Sequence, residues 1–272
     1  MRVDSRPIDR VRHHYEVEKE LAQRLLASPR EQRTEMFKTM YGELFDRVPD
    51  HPRIVRRDTE EECRVAVASR MSLLKGHLNG VDSFVEFAPG DCRLAFEVCK
   101  QVKRVDAIDI SDQSGKGEET PENFHLIVYD GYKVDLPAGT ADIGFSYQFL
   151  EHLHPDDVPL HFEMAHKLLK TGGKYIFSTP HVFSGPHDIS AHFCKTPEGF
   201  HFKEWTFKEM AAVGKKAGFS KWYTYRFGKA RMNGITNAVT LFAEGIIGIL
   251  PRFLRWRISQ RLFQGVTMVL VK

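Results

Sequence analysis

The sequence predicts an α/β fold, with a mostly parallel sheet of seven strands and helices on both of its faces. Two patterns carry this prediction. From residue 83 onward, apolar segments of strand length alternate with helical patterns. The first of these segments is a short apolar run, and strands that alternate with helices imply a parallel sheet covered on both faces. The segments are 83–87, 104–111, 124–130, 141–147, 174–180, 220–228 and 265–272.

The helical segments between these strands have recognisable ends. Gly172 is expected to end the helix of segment 156–173. Thr206 and Glu209 have the spacing of a capping box, which starts a helix after the fifth strand. Helices between successive strands are what parallel pairing requires.

The first part of the chain differs from the rest. Residues 1–80 have helical patterns and no convincing strand, with Ser28 and Thr59 expected to cap helices. We therefore expect an N-terminal helical cap over 1–80 and an α/β domain over 81–272. The domain carries an apolar and basic helical insertion at 231–264, before its last strand.

Composition argues against several classes of protein. The formal charge of +3 is near balance and the basic residues form no long block, so nucleic-acid binding is not expected. The four cysteines include no C-x-x-C pair, which argues against a zinc ribbon and fits a reducing compartment. The N-terminus has no apolar signal segment, and Glu244 interrupts the most apolar stretch. We therefore expect a cytoplasmic protein.

The loop after the first strand, "VEFAPGDC" at 85–92, lies where a doubly wound sheet binds its ligand. Gly90 is its one glycine, and it allows close approach of the backbone to a ligand. Asp109 ends the second strand, where an acidic side chain can accept hydrogen bonds from both ribose hydroxyls of a nucleoside. A dinucleotide fingerprint needs more glycines than this loop has, which disfavours a nicotinamide enzyme.

Polar residues also follow the third and fourth strands. Asp130 and Gly131 come after the third strand, where a carboxylate can accept a hydrogen bond from an adenine amino group. The segment "FSYQFLEHL" begins inside the fourth strand and continues beyond its end. The carboxyl ends of these strands are expected at one edge of the sheet.

In this order the motifs resemble those of class I S-adenosylmethionine-dependent methyltransferases, of the broad type that includes the quinone-biosynthesis methyltransferases. The resemblance covers about 83–225. It rests on Glu86, Ala88, Gly90 and Cys92 in the first loop, on Asp109, on Asp130 and Gly131, and on the segments "FSYQFLEHL", "LLKTGGKYIFSTP" and "HFKEWTFKEMAAVGKKAGF".

The resemblance implies a Rossmann-like sheet whose last strand is antiparallel. It also implies S-adenosylmethionine as cofactor and methyl transfer to an oxygen or nitrogen atom of a small-molecule acceptor. A non-catalytic binding or regulatory protein with the same fold is the alternative, because two loop glycines of the family are replaced. The expected cofactor residues are Glu86, Ala88, Gly90, Asp109, Ile110, Ser111, Asp130, Gly131, Tyr147 and Gln148.

The acceptor side is expected after the fifth strand, in a segment with several histidines. His187 and His152 are the expected catalytic bases, since histidine titrates near neutral pH, and Asp188 is expected to orient one of them. A metal site made of Glu151, His152 and a later histidine is an alternative with undiagnostic spacing, and no metal is expected.

Two regions lie outside the shared motifs. Within the insertion, 246–264 mixes apolar residues with arginines. It is either an interfacial helix that meets a membrane or a lipid-linked acceptor, or a lid helix packed on the domain. The N-terminal helices either cover the cofactor pocket or form the surface of a homodimer.

Overall fold

The computed structural model describes residues 4–55, 59–112, 120–226 and 229–272. Within these ranges the chain forms helices and strands of the following bounds. The helices are α1 (Ile8–Leu26), α2 (Arg30–Arg47), α3 (Pro52–Val55), α4 (Glu60–Leu74), α5 (Arg93–Cys99), α6 (Val158–Leu168), α7 (Phe207–Lys216), α8 (Gly234–Gly248) and α9 (Arg252–Leu262). The strands are β1 (Ser83–Phe87), β2 (Arg104–Asp109), β3 (Phe124–Val128), β4 (Ala141–Tyr147), β5 (Leu169–Pro180), β6 (Lys221–Arg226), β7 (Lys229–Arg231) and β8 (Gly265–Val271).

All strands belong to one sheet, in the order β3-β2-β1-β4-β5-β8-β6-β7. The first five strands of that order pair in parallel. The last strand of the chain, β8, pairs antiparallel with both β5 and β6. The predicted Rossmann-like α/β fold with its antiparallel last strand is therefore confirmed. The short strand β7 adds an eighth strand that the sequence did not predict.

One predicted boundary is wrong. Helix α6 ends at Leu168 rather than at Gly172, and β5 begins at Leu169. The end of the chain explains the difference, because the backbone N–H of Gly172 donates to the carbonyl of Lys272 and the N–H of Lys272 donates to the carbonyl of Gly173. The local pattern assigns this segment to a helix, but pairing with the C-terminal strand brings it into the sheet.

The sheet has a buried core on each face. Along β1, Phe84 belongs to the core beneath α4 and α5, whereas Val85 and Phe87 belong to the core beneath α6 and α7. This alternation is the two-residue period of a strand. Glu86 therefore points to the same face as Phe84 and leads the chain into the loop at the carboxyl end.

The N-terminal helices lie against the carboxyl-end edge of the sheet. Residues of α1 and α2 form a third core with Phe200 and Phe202. Thr34 donates a hydrogen bond to the carbonyl of Asp130, and Arg33 forms a buried ion pair with Asp157 at 2.7 Å. The same edge carries the predicted site residues.

The predicted caps differ in outcome. Thr59 and Thr206 both form capping boxes, with Glu62 and Glu209 respectively. Ser28 does not cap α2, because its hydroxyl and its N–H both donate to the carbonyl of Leu25 and so close α1 instead. None of the helices in the described ranges is long and apolar enough to span a bilayer.

Candidate active site

The loop after β1 keeps a left-handed backbone although two of its three turning positions are not glycine. Ala88, Gly90 and Cys92 have φ angles of 53°, 60° and 59°. A non-glycine residue in this region costs of order 1–3 kcal/mol, and such residues persist where the surroundings impose them. The loop therefore follows a glycine-type path with stored strain at Ala88 and Cys92, and such strain is typical of ligand-binding turns.

Space lies open beside this loop. A Cβ built on Gly90 meets no atom within 4 Å. Asp109, at the end of β2, accepts hydrogen bonds from the N–H of Gly90 at 3.4 Å and from that of Ser111 at 3.3 Å. Burial raises the pKa of Asp109 and these backbone donors oppose it. We call the loop Glu86–Cys92 together with Asp109 the cradle.

Glu86 is a buried carboxyl group at the base of the cradle. It is only 3% exposed, and its Oε2 atom has no hydrogen-bond partner among the described residues. Burial raises its pKa to about 8, and the positive charge of Arg70 opposes the rise. An unpaired buried carboxyl is costly, so this group suits a cationic ligand group that approaches from the open space.

The other predicted cofactor residues lie at the carboxyl ends of β3 and β4. Asp130 accepts hydrogen bonds at Oδ1 from the N–H groups of Tyr132 and Lys133, at 2.8 Å and 2.6 Å. Gln148 has a left-handed φ of 52°, and its N–H donates to the carbonyl of Ser178. The ring of Tyr147 lies beneath the guanidinium of Arg70 from α4. Ile110 packs on the core, and Gly131 has a φ of 91° with open space beside it.

On the acceptor side, the most buried acid is Glu151, which follows β4. Its Oε2 accepts a hydrogen bond from the hydroxyl of Thr179 at 2.9 Å. Its Oε1 has no partner among the described residues. Burial raises its pKa to about 7, so this carboxyl can change protonation near neutral pH.

Two histidine rings stand beside Glu151. The rings of His152 and His201 cross at 81° with centroids 5.0 Å apart. The Nδ1 atom of His152 lies 2.8 Å from the carbonyl oxygen of Phe200, which can only accept, so Nδ1 carries the proton and Nε2 keeps its lone pair. Burial, and then the charge of His201, lowers the pKa of His152 to about 3.

A fully buried carboxylate, Glu204, joins two of the histidines. Its Oε1 lies 3.0 Å from Nδ1 of His201, and its Oε2 lies 3.1 Å from Nδ1 of His187. Burial opposes ionisation, but the two histidines hold the pKa of Glu204 at about 2. Burial also opposes the charge of His201, while Glu204, Glu151 and Asp188 raise its pKa. The five residues Glu151, His152, His187, His201 and Glu204 are called the histidine network below.

Glu204, and not the predicted Asp188, contacts the ring of His187. Asp188 instead accepts hydrogen bonds from the N–H groups of Ser190 and Gly199. Glu204 is not among the residues predicted from the sequence. The signal for it was the spacing His201-x-x-Glu204 in the segment "HFKEW".

The histidine network also contains a donor set that suits a metal ion. One ligand atom each from Glu151, His152 and His201 lie within 4.8 Å of one another. Each histidine has an oxygen partner at Nδ1, which is how proteins orient Nε2 toward a metal. These residues can therefore hold a divalent transition metal, which is the alternative that the sequence leaves open beside its prediction of no metal.

The cradle and the histidine network share one neighbour, Arg53 of α3. Burial is the main cause of the pKa shifts of Asp109 and His152, upward for the acid and downward for the base. Arg53 lowers both pKa values by a smaller amount. The loops that follow β1 and β4 also leave the same edge of the sheet, because these two strands pair in parallel.

The comparisons with known proteins agree with this geometry. The family model described as "Methyltransferase domain" matches residues 85–177, from β1 into β5. No curated protein matches the chain. With the fold and the cradle, this match identifies a class I methyltransferase domain. Residues 85–177 therefore carry a methyltransferase domain.

Solved structures share the fold at low sequence identity. A methyltransferase from Archaeoglobus fulgidus has a TM-score of 0.52 and 16% identity, over 77% of this chain and 94% of its own. The 1,6-didemethyltoxoflavin-N1-methyltransferase of Burkholderia thailandensis, with 1,6-didemethyltoxoflavin and S-adenosylhomocysteine bound, has a TM-score of 0.51 and 16% identity, over 78% of this chain and 81% of its own. Phosphoethanolamine N-methyltransferase 2 of Haemonchus contortus has a TM-score of 0.50 and 13% identity, over 75% and 52%.

Proposed function

We propose that the protein transfers the methyl group of S-adenosylmethionine to an oxygen or nitrogen atom of a small-molecule acceptor. The observation that carries this proposal is the histidine network beside the cradle. A hydroxyl or amine acceptor loses a proton when it gains a methyl group, and a proton acceptor held near the donor site serves that step.

The cradle suits the cofactor group by group. The carboxylate of Glu86 binds the ammonium group, and Asp109 accepts hydrogen bonds from the ribose hydroxyls. The open backbone at Gly90 admits the nucleoside closely, and the free oxygen of Asp130 faces the adenine amino group. Bound S-adenosylmethionine supplies a methyl carbon on a sulfonium, which is a good leaving group.

The chain contributes orientation and a place for the proton. Holding two reactants in line can contribute roughly 7–11 kcal/mol. Glu204 holds the Nδ1 atom of His187, and the hydroxyl of Ser184 lies 3.2 Å from its Nε2 atom. In this proposal the acceptor replaces Ser184 at Nε2, where His187 takes its proton. His152 remains neutral because burial lowers its pKa to about 3, and its Nε2 accepts a hydrogen bond that orients the acceptor. Asp188 is a positioning residue, since it holds the backbone of 190–199.

An acceptor screen tests this proposal. Purified protein is incubated with labelled S-adenosylmethionine and panels of phenols, carboxylic acids, amines and thiols, and transfer is followed by mass spectrometry. The proposal expects methylated oxygen or nitrogen products. It expects His187→Ala to lower turnover on the identified acceptor strongly and His152→Ala to raise its KM. Full turnover in both variants, or methylation of carbon or sulfur acceptors alone, would contradict it.

A further inference from the structure

Helix α8 exposes a stripe of apolar residues, although two of its three buried residues are polar. Thr240 and Glu244 are buried, whereas Phe242 is 71% exposed and Ile249, just beyond the helix, is 84% exposed. The exposed residues follow each other at spacings of four and three, which places them on one stripe. The stripe consists of Ile235, Val239, Phe242, Ile246 and Ile249.

Helix α9 extends this apolar surface. Phe253 is 65% exposed, and Leu254, Trp256 and Leu262 are also exposed. Contiguous exposed apolar patches of this kind mark interaction sites in proteins. The stripe and these four residues are called the α8–α9 face.

The exposed charges of this face are all positive. Arg231, Arg252, Arg257 and Arg261 are exposed. Glu244 is the one acidic residue of the sequence beyond Glu209, and it is buried. A second copy of the chain would bring arginines against arginines, which disfavours self-association, whereas an anionic surface is complementary.

The face is held firmly on the domain. The carboxylate of Glu244 lies 2.8 Å from Nε2 of His181 and accepts the N–H of Phe207. Gln260 of α9 donates to the carbonyl of Ser184 at 2.7 Å. Both helices therefore pack on the segment that leads to His187, so what binds the face lies beside the acceptor side of the site.

We propose that the α8–α9 face binds the surface of an anionic lipid bilayer. The helices lie in the plane of the interface, as interfacial amphipathic helices do. The apolar stripe reaches the boundary between headgroups and acyl chains, and the arginines lie at the headgroups. The aromatic side chains of Phe242, Phe253 and Trp256 occupy the depth at which aromatic residues are favoured. The docking does not depend on the identity of the methyl acceptor.

Vesicle cosedimentation tests the proposal with the full chain. Vesicles of phosphatidylcholine with phosphatidylglycerol are compared with vesicles of phosphatidylcholine alone. The anionic vesicles should bind the protein at least about tenfold more tightly, because each arginine near the surface contributes roughly 1 kcal/mol, about fivefold in affinity. Added salt should weaken this binding.

Two variants separate the apolar and the charged contributions. The triple variant Phe242→Gln, Ile249→Gln and Phe253→Gln changes only exposed side chains and should abolish sedimentation. The triple variant Arg252→Gln, Arg257→Gln and Arg261→Gln should weaken binding to anionic vesicles about a hundredfold. Ile8→Gln and Val65→Gln are matched controls, because these apolar residues are exposed on other helices, and both should bind as the wild type does.

Calorimetry should show the same affinity for S-adenosylmethionine in every variant, which would confirm that the fold and the donor site are intact. The proposal is overturned if the protein binds neither type of vesicle. It is also overturned if the wild type and the apolar triple variant bind anionic vesicles equally well. Sedimentation velocity without vesicles provides the last arm. A dimer that the apolar triple variant converts to monomer would identify a second copy as the occupant and would also overturn it.

Discussion

The donor half and the acceptor half of the site are built in different ways. The cradle consists of consecutive backbone at the end of β1 and one carboxylate at the end of the neighbouring strand β2. The histidine network consists of side chains from three separate stretches, after β4, after β5 and before α7. Local backbone therefore determines the donor half, whereas tertiary packing assembles the acceptor half.

The largest effect is expected from a substitution that disrupts the donor half alone. Asp109→Ala removes the hydrogen bonds that we propose to the ribose, and two bonds to a charged group are worth together about 3 kcal/mol or more. We expect affinity for S-adenosylmethionine to fall at least about a hundredfold in a calorimetric titration. Asp91→Asn is the matched control, an exposed acid of the same loop, and should bind nearly as the wild type does. Undiminished binding by Asp109→Ala would contradict the cradle.

The next change breaks the acceptor half alone. Glu204→Gln removes the charge that orients His187 and raises the pKa of His201. Loss of such an orienting partner costs about 10–100-fold in activity at comparable sites, so turnover should fall by that factor while cofactor affinity changes less than about twofold. Asp188→Asn is the comparison, because its contacts are to backbone. If Asp188→Asn lowers turnover as much as Glu204→Gln does, the proposal that Glu204 orients His187 is wrong.

A pH series sharpens the role of Glu86. Its pKa in the unbound protein is about 8, above the usual value of 4.5. A raised pKa stabilises the fold below pH 4.5, and this stability is lost as the pH rises through 8. A bound ammonium group needs the carboxylate, so affinity should rise between pH 6 and pH 8, by at most about tenfold per unit.

Glu86→Gln checks this series, because an amide does not titrate. The variant should bind more weakly and show a flatter pH dependence. Calorimetry of the wild type at pH 7, in two buffers with different heats of ionisation, should detect release of about one proton. A slope that survives in Glu86→Gln would assign the proton to another group.

The smallest effect concerns strain in the cradle. Ala88→Gly removes a left-handed penalty of about 1–2 kcal/mol and adds about 0.5–1 kcal/mol of glycine entropy cost. We therefore expect the free energy of unfolding in urea to rise by about 0.5–1 kcal/mol. Ala27→Gly is the control, since Ala27 has a φ of −85°, and it should lose stability instead. A loss in Ala88→Gly would mean that the methyl group packs usefully.

The sequence predicts what short stretches determine. The limits of β1 and β4 match the structure residue for residue, because each is an apolar run bounded by turn residues. The positions of Gly90 and Asp109 can also be predicted, because each residue lies at or just beyond the end of a predicted strand. The positive φ of Ala88 and Cys92 is consistent with the motif, in which glycines stand at those positions.

What the sequence leaves out depends on contacts between distant segments. The pairing of Glu204 with His187 depends on how the chain folds back after β5. The early start of β5 depends on Lys272, the last residue of the sequence. The burial of Glu244 of α8 against His181 also joins distant segments, and periodicity alone does not reveal it.

A crystal structure of the protein with S-adenosylhomocysteine tests the central claim most directly. The account predicts the ribose hydroxyls on the carboxylate of Asp109, the ammonium group on Glu86 and the sulfur atom facing His152 and His187. A ligand bound away from the cradle, or a sulfur atom that faces away from the histidine network, would contradict it.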